Sequence, residues 1–394
     1  MIVTHSCWGI SPSARASCIS GAITYEEIAD IFYHLYHRAY PAPEKTPLSE
    51  HNTTLIPWAQ QPSAAFDRHV FFDWGSSSIR LVVVDISQPS WGDDVLTQEF
   101  FRATIPLPKD YTQEDLPARI AVWEQIRHAI ELFFPSHHIE YHIIATAGLR
   151  STPLGTILQD HLIQRRFPVR IISQEEEGQL SLKGIQYLKA HTHLHHLAAW
   201  DIGGKSMQIT IGRHQKTHVL GNDAGLFHVM AYWRQKTHQT QFNHKEDLIH
   251  AQRIITELFD NQHLTNPPSP VKPIAPYDEF MPIWHHTYGV GPVHEYFILD
   301  YSQHILPEKM GIFNRDALEQ MLLRLLDMDE KSILALKNPT ALIHSKTELL
   351  MGFLLVLTTM QLLSMDTIEI LRLDNREGMI ENFLQNKKRN WTLF

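Results

Sequence analysis

The first sustained pattern of apolar and polar positions along this chain begins at Val70. VFFD is a short apolar run, GSSS a turn, and IRLVVVDI a β-branched run, so the segment predicts the two arms of a hairpin. A third strand is expected over Glu99–Ile105, followed by an amphipathic helix from about Pro117 to Phe133. YHIIATA predicts a strand over Tyr141–Ala147. A helix over Leu154–Arg166 and a strand over Val169–Ser173 come next. A further helix starts among Glu175, Glu176 and Glu177, whose charges suit the positive end of a helix dipole. The order β-β-β-α-β-α-β-α implies a mixed sheet flanked by helices.

The pattern then restarts. LAAWDI and MQITIG are apolar strands joined by the turn GGKS. Both hairpins carry D-x-G-x-x-S, once from Asp73 to Ser78 and again from Asp201 to Ser206. A repeat at this long spacing means two similar domains and not a solenoid of short units. Beyond it come a Pro-rich loop (Asn266–Pro276), helices around Arg315–Leu326 and Lys346–Leu363, a strand Thr367–Leu373, and a closing helix from Arg376. The longest apolar run, Leu349 to Met365, is interrupted by Gly352, Thr358, Thr359, Gln361 and Ser364. It falls short of the roughly 20 apolar residues of a bilayer span and predicts a buried core helix. Residues 1–65 read differently: one short helix (Tyr25–Tyr36), then the linker-like PAPEKTPLSEHNTTLIP. The expected division is a partly disordered extension over 1–65, a first domain over 66–190 and a second over 191–394.

Composition narrows the function. Among 394 residues, 34 Lys and Arg stand against 43 Asp and Glu, a net charge of −9. That argues against coating duplex DNA or an anionic membrane by bulk charge. The 26 histidines are unusual, and protonating them would reverse the sign, so affinity for a polyanion is expected to rise below neutral pH. The two cysteines, Cys7 and Cys18, allow neither a disulfide framework nor a Cys-based zinc site in the main body. MIVTHSCWGIS has no basic segment followed by a sustained apolar one, so a cytoplasmic protein without a secretory signal is expected.

The paired turns bear chemistry. Backbone N–H groups and hydroxyls of a Gly/Ser turn suit phosphate oxygens. An Asp just before such a turn can hold a hydrated Mg²⁺ against them. Either turn alone is weak evidence, whereas two copies at matching places favour a phosphate site. WDIGGKS nearly spells a Walker A loop, but Ala199 stands at the first glycine position and a strand follows where a P-loop needs a helix.

FFDWGSSSIRLVVVD, IIATAGLR, VRIISQEEEGQLSLKGI and AWDIGGKSMQITIG, in this order and spacing, resemble the Ppx/GppA phosphatases, and LDNREGMI (Leu373–Ile380) resembles their closing motif. The resemblance covers about residues 70 to 390. It implies two actin-like (ribonuclease H-like) α/β domains with mixed sheets flanked by helices, and an active site in the interdomain cleft. The implied activity releases terminal phosphate from inorganic polyphosphate, or converts guanosine pentaphosphate to tetraphosphate, with Mg²⁺ or Mn²⁺. The implied partners are those phosphate compounds, with no nucleic acid and no membrane, and a homodimer is compatible with the family. Carried over by position, Asp73, Gly75, Ser76, Ser77 and Ser78 form the first phosphate loop. Asp201, Gly203, Gly204, Lys205 and Ser206 form the second. The two aspartates hold the metal, Arg150 contacts the phosphate chain, and Glu177 is the catalytic carboxylate with Glu176 beside it.

Several positions depart from the family. Its G-G-G-S-T-E reads Gly203-Gly204-Lys205-Ser206-Met207-Gln208, which loses a glycine's backbone freedom and a carboxylate. Gly178-Gln179 replaces Ala-Arg, and Ser77 stands where Asn is common. These departures motivate an alternative, a polyphosphate or alarmone sensor without turnover. A sugar or carboxylate kinase of the same superfamily is disfavoured. HTHLHH (His191–His196) is expected to be a solvated loop, and GVGP, ending at Pro292, an ordinary turn.

Overall fold

A computed structural model describes residues 66–76, 78–87, 97–106, 112–133, 139–150, 152–189, 197–213, 216–242, 244–260, 272, 274–275, 287–308, 311–336, 343 and 345–391. The expected N-terminal helix and linker, both cysteines, Ser77, HTHLHH and most of the Pro-rich loop lie outside them. The chain divides into two compact units, residues 1–171 and 172–394.

The first unit holds strands β1 (Phe66–Trp74), β2 (Ser78–Ser87), β3 (Thr97–Pro106), β4 (Ile139–Ala145) and β5 (Val169–Ile171) in the order β3-β2-β1-β4-β5. The first three are antiparallel neighbours, and β4 and β5 continue in parallel with β1. Period-two alternation places Val70, Phe72 and Trp74 on one face with Ile79, Leu81 and Val83. Helix α1 (Leu116–Phe133) covers that face with Trp123, Ile126 and Ile130, and α3 (Pro153–Gln164) adds Leu158 and Leu162. The strand expected to run to Ala147 stops at Ala145, and Ala147–Arg150 is instead a single helical turn, α2.

In the second unit, β6 (Leu197–Ile202), β7 (Met207–Arg213) and β8 (Lys216–Asn222) repeat the antiparallel meander. Strands β9 (Thr287–Val290), β10 (Ile312–Asn314) and β11 (Thr367–Ile370) extend the sheet in the order β10-β11-β9-β6-β7-β8. All six residues of β6 are buried, as a strand covered on both faces requires. On one face Trp200 and Ile202 meet a core that includes Leu350, Phe353, Leu354 and Leu357 of α10 (Lys346–Leu362). That helix is buried all round from Thr347 to Met360, as its predominantly apolar sequence demands. On the other face Leu197 and Ala199 meet Leu182 and Ile185 of α4 (Gln174–Lys189).

Helix α4 therefore belongs with the second sheet. The expected boundary at 190/191 and the observed division at 171/172 differ by this one helix, because its apolar stripe and Gln174 are matched to β6–β8. The Gln174 Nε2 donates to the carbonyls of Met207 (3.2 Å) and Asn222 (2.9 Å). The other described helices are a 3₁₀ turn (Gln113–Asp115) in the first unit and, in the second, α5 (Leu226–Thr237), α6 (Lys245–Asp260), a π-helical segment (Val293–Leu299) running into α7 (Asp300–Ile305), α8 (Arg315–Asp327), α9 (Glu330–Leu336) and α11 (Asn375–Trp391).

Candidate functional site

Each D-x-G-x-x-S segment closes in the same way. The Gly75 amide donates to Ser78 O at 2.9 Å, and the Gly203 amide to Ser206 O at 2.9 Å. Asp73 and Asp201 are the second-last residues of β1 and β6 and are 5% and 7% exposed, so both carboxylates are buried. Ser78 and Ser206 are buried too, while Ser76, Gly203, Gly204 and Lys205 are half-buried. Across each hairpin, Asp73 pairs in register with Arg80, and Asp201 with Gln208.

In the first unit the ATAGLR segment lies against its loop. Thr146 donates from its amide (3.0 Å) and hydroxyl (3.3 Å) to the Trp74 carbonyl. A Cβ on Gly148 would come within 2.8 Å of Gly75 O and Ser76 Cα, so only glycine permits this approach. Half-buried Arg150 closes α2, its amide bonded to Thr146 O at 3.0 Å.

In the second unit the loop is clamped by a helix N-terminus. The first amides of α5 have no partner within their own helix. Gly225, Leu226 and Phe227 donate instead to the carbonyls of Lys205 (3.2 Å), Gly203 (3.0 Å) and Gly204 (2.8 Å). In a trans peptide the N–H points opposite to its C=O. The amides of Gly204, Lys205 and Ser206 therefore point away from α5, and meet no acceptor among the described residues. Three successive amides left without an acceptor, a nest in a turn conformation, suit an anion.

The acidic run resolves into three different roles. Glu175 is exposed. Glu176 makes a capping box with Ser173: Ser173 N donates to Glu176 Oε2 (2.9 Å) and Glu176 N to Ser173 Oγ (3.1 Å). Glu177 is 6% exposed and faces β7, where Gln208 Nε2 donates to its Oε2 across a long 3.4 Å and to Ser206 Oγ at 2.9 Å. One turn on, Ser181 Oγ donates to Asp201 Oδ2 at 3.4 Å. Glu177, Ser181, Asp201, Ser206 and Gln208 thus form one cluster beside the nest. The oxygen donors of Asp201 and Ser181 are the ligand type that Mg²⁺ and Mn²⁺ prefer.

No protein-family model and no curated protein matches this chain. Solved structures do. A Ppx/GppA family member from Aquifex aeolicus superposes with a TM-score of 0.58 at 12% identity, covering 82% of this chain and 99% of its own. An exopolyphosphatase from Cytophaga hutchinsonii gives 0.58 at 17% identity, covering 81% and 98%. An exopolyphosphatase-like protein gives 0.58 at 13%, covering 82% and 99%. The chain has the Ppx/GppA fold. Its mixed sheets flanked by helices meet the fold that the resemblance implied.

Within the Ppx/GppA fold the departures of this sequence gain physical reasons. A Cβ at Gly178 would come 2.3 Å from Thr210 Oγ1 and 2.9 Å from Val219 Cγ1, so glycine lets α4 press on β7 and β8. The expected backbone cost at Lys205 does not arise, because Lys205 is not among the residues with positive φ. Gln179 lies along α4, with its Nε2 3.4 Å from Glu175 Oε1. GVGP is not an ordinary turn: Val290 ends β9 and a helix begins at Gly291. Gly291 has φ +80°, and a Cβ there would lie 2.0 Å from Asp201 Oδ1.

Sequence reasoning missed Ser181, Gly225 and Gly291. Ser181 sits four residues after Glu177 on the same helix face, a signal that was available. Gly225 and Gly291 touch the loop and Asp201 only through tertiary approach. Behind β6, His294 sets its ring edge-on to Trp200 and bonds Val290 O at 2.9 Å. Full burial pushes its pKa down to about 4, and it is neutral at pH 7. Among the described residues no helix is long and apolar enough to cross a membrane.

Proposed function

We propose that this chain is a phosphohydrolase that cleaves the terminal phosphoanhydride bond of inorganic polyphosphate, or of guanosine pentaphosphate to give the tetraphosphate. The observation that carries the reading is the second-unit cluster, where a nest of three outward amides adjoins the buried carboxylates Glu177 and Asp201. Phosphate oxygens fit the nest, with Gly203, Gly204, Lys205 and Ser206 as the binding loop. Gly75, Ser76, Ser77 and Ser78 play the same part in the first unit, with Arg150 and Lys205 offsetting charge. Glu177 orients a water for in-line attack on the terminal phosphorus and takes its proton. The P–O bond to the leaving chain breaks, releasing phosphate and a chain one unit shorter. Asp201 in the second unit, and Asp73 in the first, would each hold Mg²⁺ or Mn²⁺ through water, and the ion would supply charge neutralisation on the transferring group.

One observation favours a second reading, a sensor that binds the phosphate chain without turnover. The Gln208 amide donates to Glu177 Oε2, placing a neutral donor on the carboxylate that must accept a proton. Purified protein with Mg²⁺ should release phosphate from long-chain polyphosphate or guanosine pentaphosphate. Tight binding of either compound without release, with turnover gained in Gln208→Glu, selects the sensor.

A further inference from the structure

Four residues before Asp73 on β1, about 13 Å along the strand at 3.3 Å per residue, three metal-binding side chains meet. His69 stands beside Glu140 in the parallel β1–β4 register, and Phe71 stands beside His142. Period two puts His69, Glu140 and His142 on one face of the sheet. Their donor atoms converge: His69 Nδ1 is 3.0 Å from His142 Nε2, a Glu140 oxygen is 3.5 Å from His69 Nδ1, and its other oxygen is 3.7 Å from His142 Nε2. One ligand atom from each residue lies within 4.8 Å of the others.

These spacings have a specific meaning. Ligands at roughly 2.0–2.1 Å from a tetrahedral ion are separated by about 3.3 Å. The 3.0 Å between the two imidazole nitrogens and the 3.5 Å from His69 Nδ1 to the nearer Glu140 oxygen bracket that edge length. The rings are held in place beforehand, since Phe71 stacks on His142 at 4.6 Å between centroids and His69 stacks on His142 at 5.3 Å. The side chain of His69 is 1% exposed, that of His142 20% and that of Glu140 52%, so the cluster is buried on one side and open to solvent on the other. An ion can enter from the Glu140 side, and the fourth position would face solvent.

We propose that His69, Glu140 and His142 form a binding site for a divalent transition ion of the zinc class, distinct from any Mg²⁺ at the phosphate loops. Two imidazole nitrogens and one carboxylate select zinc, cobalt or nickel over magnesium, which keeps to oxygen ligands. His69 binds through Nδ1 and carries its proton on Nε2, while His142 binds through Nε2. The ion cross-links β1 to β4, the strands that lead to the Asp73 loop and to ATAGLR. The site is independent of whether the chain hydrolyses phosphate.

The test uses the full chain, stripped with a chelator and titrated with zinc by calorimetry, with and without millimolar Mg²⁺. His142→Gln and Glu140→Gln are titrated alongside, and circular dichroism checks their folding. The proposal expects one tight zinc equivalent that Mg²⁺ does not displace and that His142→Gln lacks. Removing a direct ligand should cost at least what removing an outer-shell partner does, so Glu140→Gln should bind roughly 10- to 100-fold more weakly. Cobalt added to stripped wild type should give the intense visible absorption of a tetrahedral site, and Glu140→Gln should lose it. Because Glu140 is half-exposed, that variant decides the matter even if His142→Gln misfolds. Zinc stoichiometry and affinity equal in wild type and both variants, or no tight equivalent in wild type, overturns the proposal.

Discussion

Replacing Gly225 by alanine should damage the molecule more than replacing the motif glycine Gly203. A Cβ at Gly225 would lie 2.4 Å from Lys205 C and Ser206 N, both backbone atoms that no rotamer change can move. Carbon contacts settle at about 3.5–4.0 Å, so loop and helix must part by roughly 1 Å. That movement takes the three bonds from Gly225, Leu226 and Phe227, now 2.8–3.2 Å, beyond hydrogen-bond range. Overpacking of this kind costs about 1–3 kcal/mol and the three bonds, exchanged for water, about 1 together, giving roughly 2–4 kcal/mol in all. For a unit of this size the melting temperature should fall by roughly 5–15 °C. At Gly203 the nearest atom to a Cβ is Ser206 O at 3.4 Å and φ is not left-handed, so Gly203→Ala should stay within about 0.5 kcal/mol of wild type. Calorimetry on the two variants separates the effects: Gly225→Ala unfolds early, whereas Gly203→Ala melts normally and loses phosphate release through the methyl beside the nest. Equal melting of Gly225→Ala and wild type would refute the helix-clamped loop.

Gly291→Ala should disturb Asp201, because its Cβ would overlap Oδ1 and its φ of +80° suits only glycine; Mg²⁺-dependent phosphate release should fall well before secondary structure does. Arg372→Ala removes the cation bonded to Glu295 (3.2 Å) and to Asp300, two carboxylates with side chains 7% and 5% exposed. With the arginine itself 29% exposed, a loss of roughly 2–4 kcal/mol is expected in urea unfolding, the lower part of the range for broken buried pairs. His294 has its folded pKa lowered to about 4 from 6.5 by burial, so the unfolded chain takes up the proton first as pH falls. Its contribution, in full above pH 6.5, should be lost progressively towards pH 4, by about 3 kcal/mol at most. The stability difference between wild type and His294→Asn, followed by denaturation from pH 7 to 4, should shrink over that interval; a constant difference contradicts the assignment.

Much of the fold was legible because period-two runs such as IRLVVVDI and the doubled D-x-G-x-x-S are local signals that survive without an alignment. The placement of α4 was not, since its partners β7 and β8 follow it in sequence and Gly178 only makes sense against Thr210 and Val219. Three adjacent glutamates look alike in sequence, and only the capping geometry of Glu176 and the burial of Glu177 separate them. The turn at Gly204–Ser206 is legible as a turn, yet what holds its carbonyls, and so sets its amides, is α5, which the motif does not contain. The His69–Glu140–His142 cluster joins strands far apart in sequence.

The central claim, that Glu177 activates water at a phosphate site, is tested by phosphate release from long-chain polyphosphate and from guanosine pentaphosphate, in Mg²⁺, by wild type and Glu177→Gln. The isosteric amide keeps the packing against Gln208 and should leave the melting temperature near that of wild type. Release by wild type with a loss of about 10²- to 10⁴-fold in Glu177→Gln is the predicted result. Undiminished release by Glu177→Gln, or none by wild type on either compound, contradicts it.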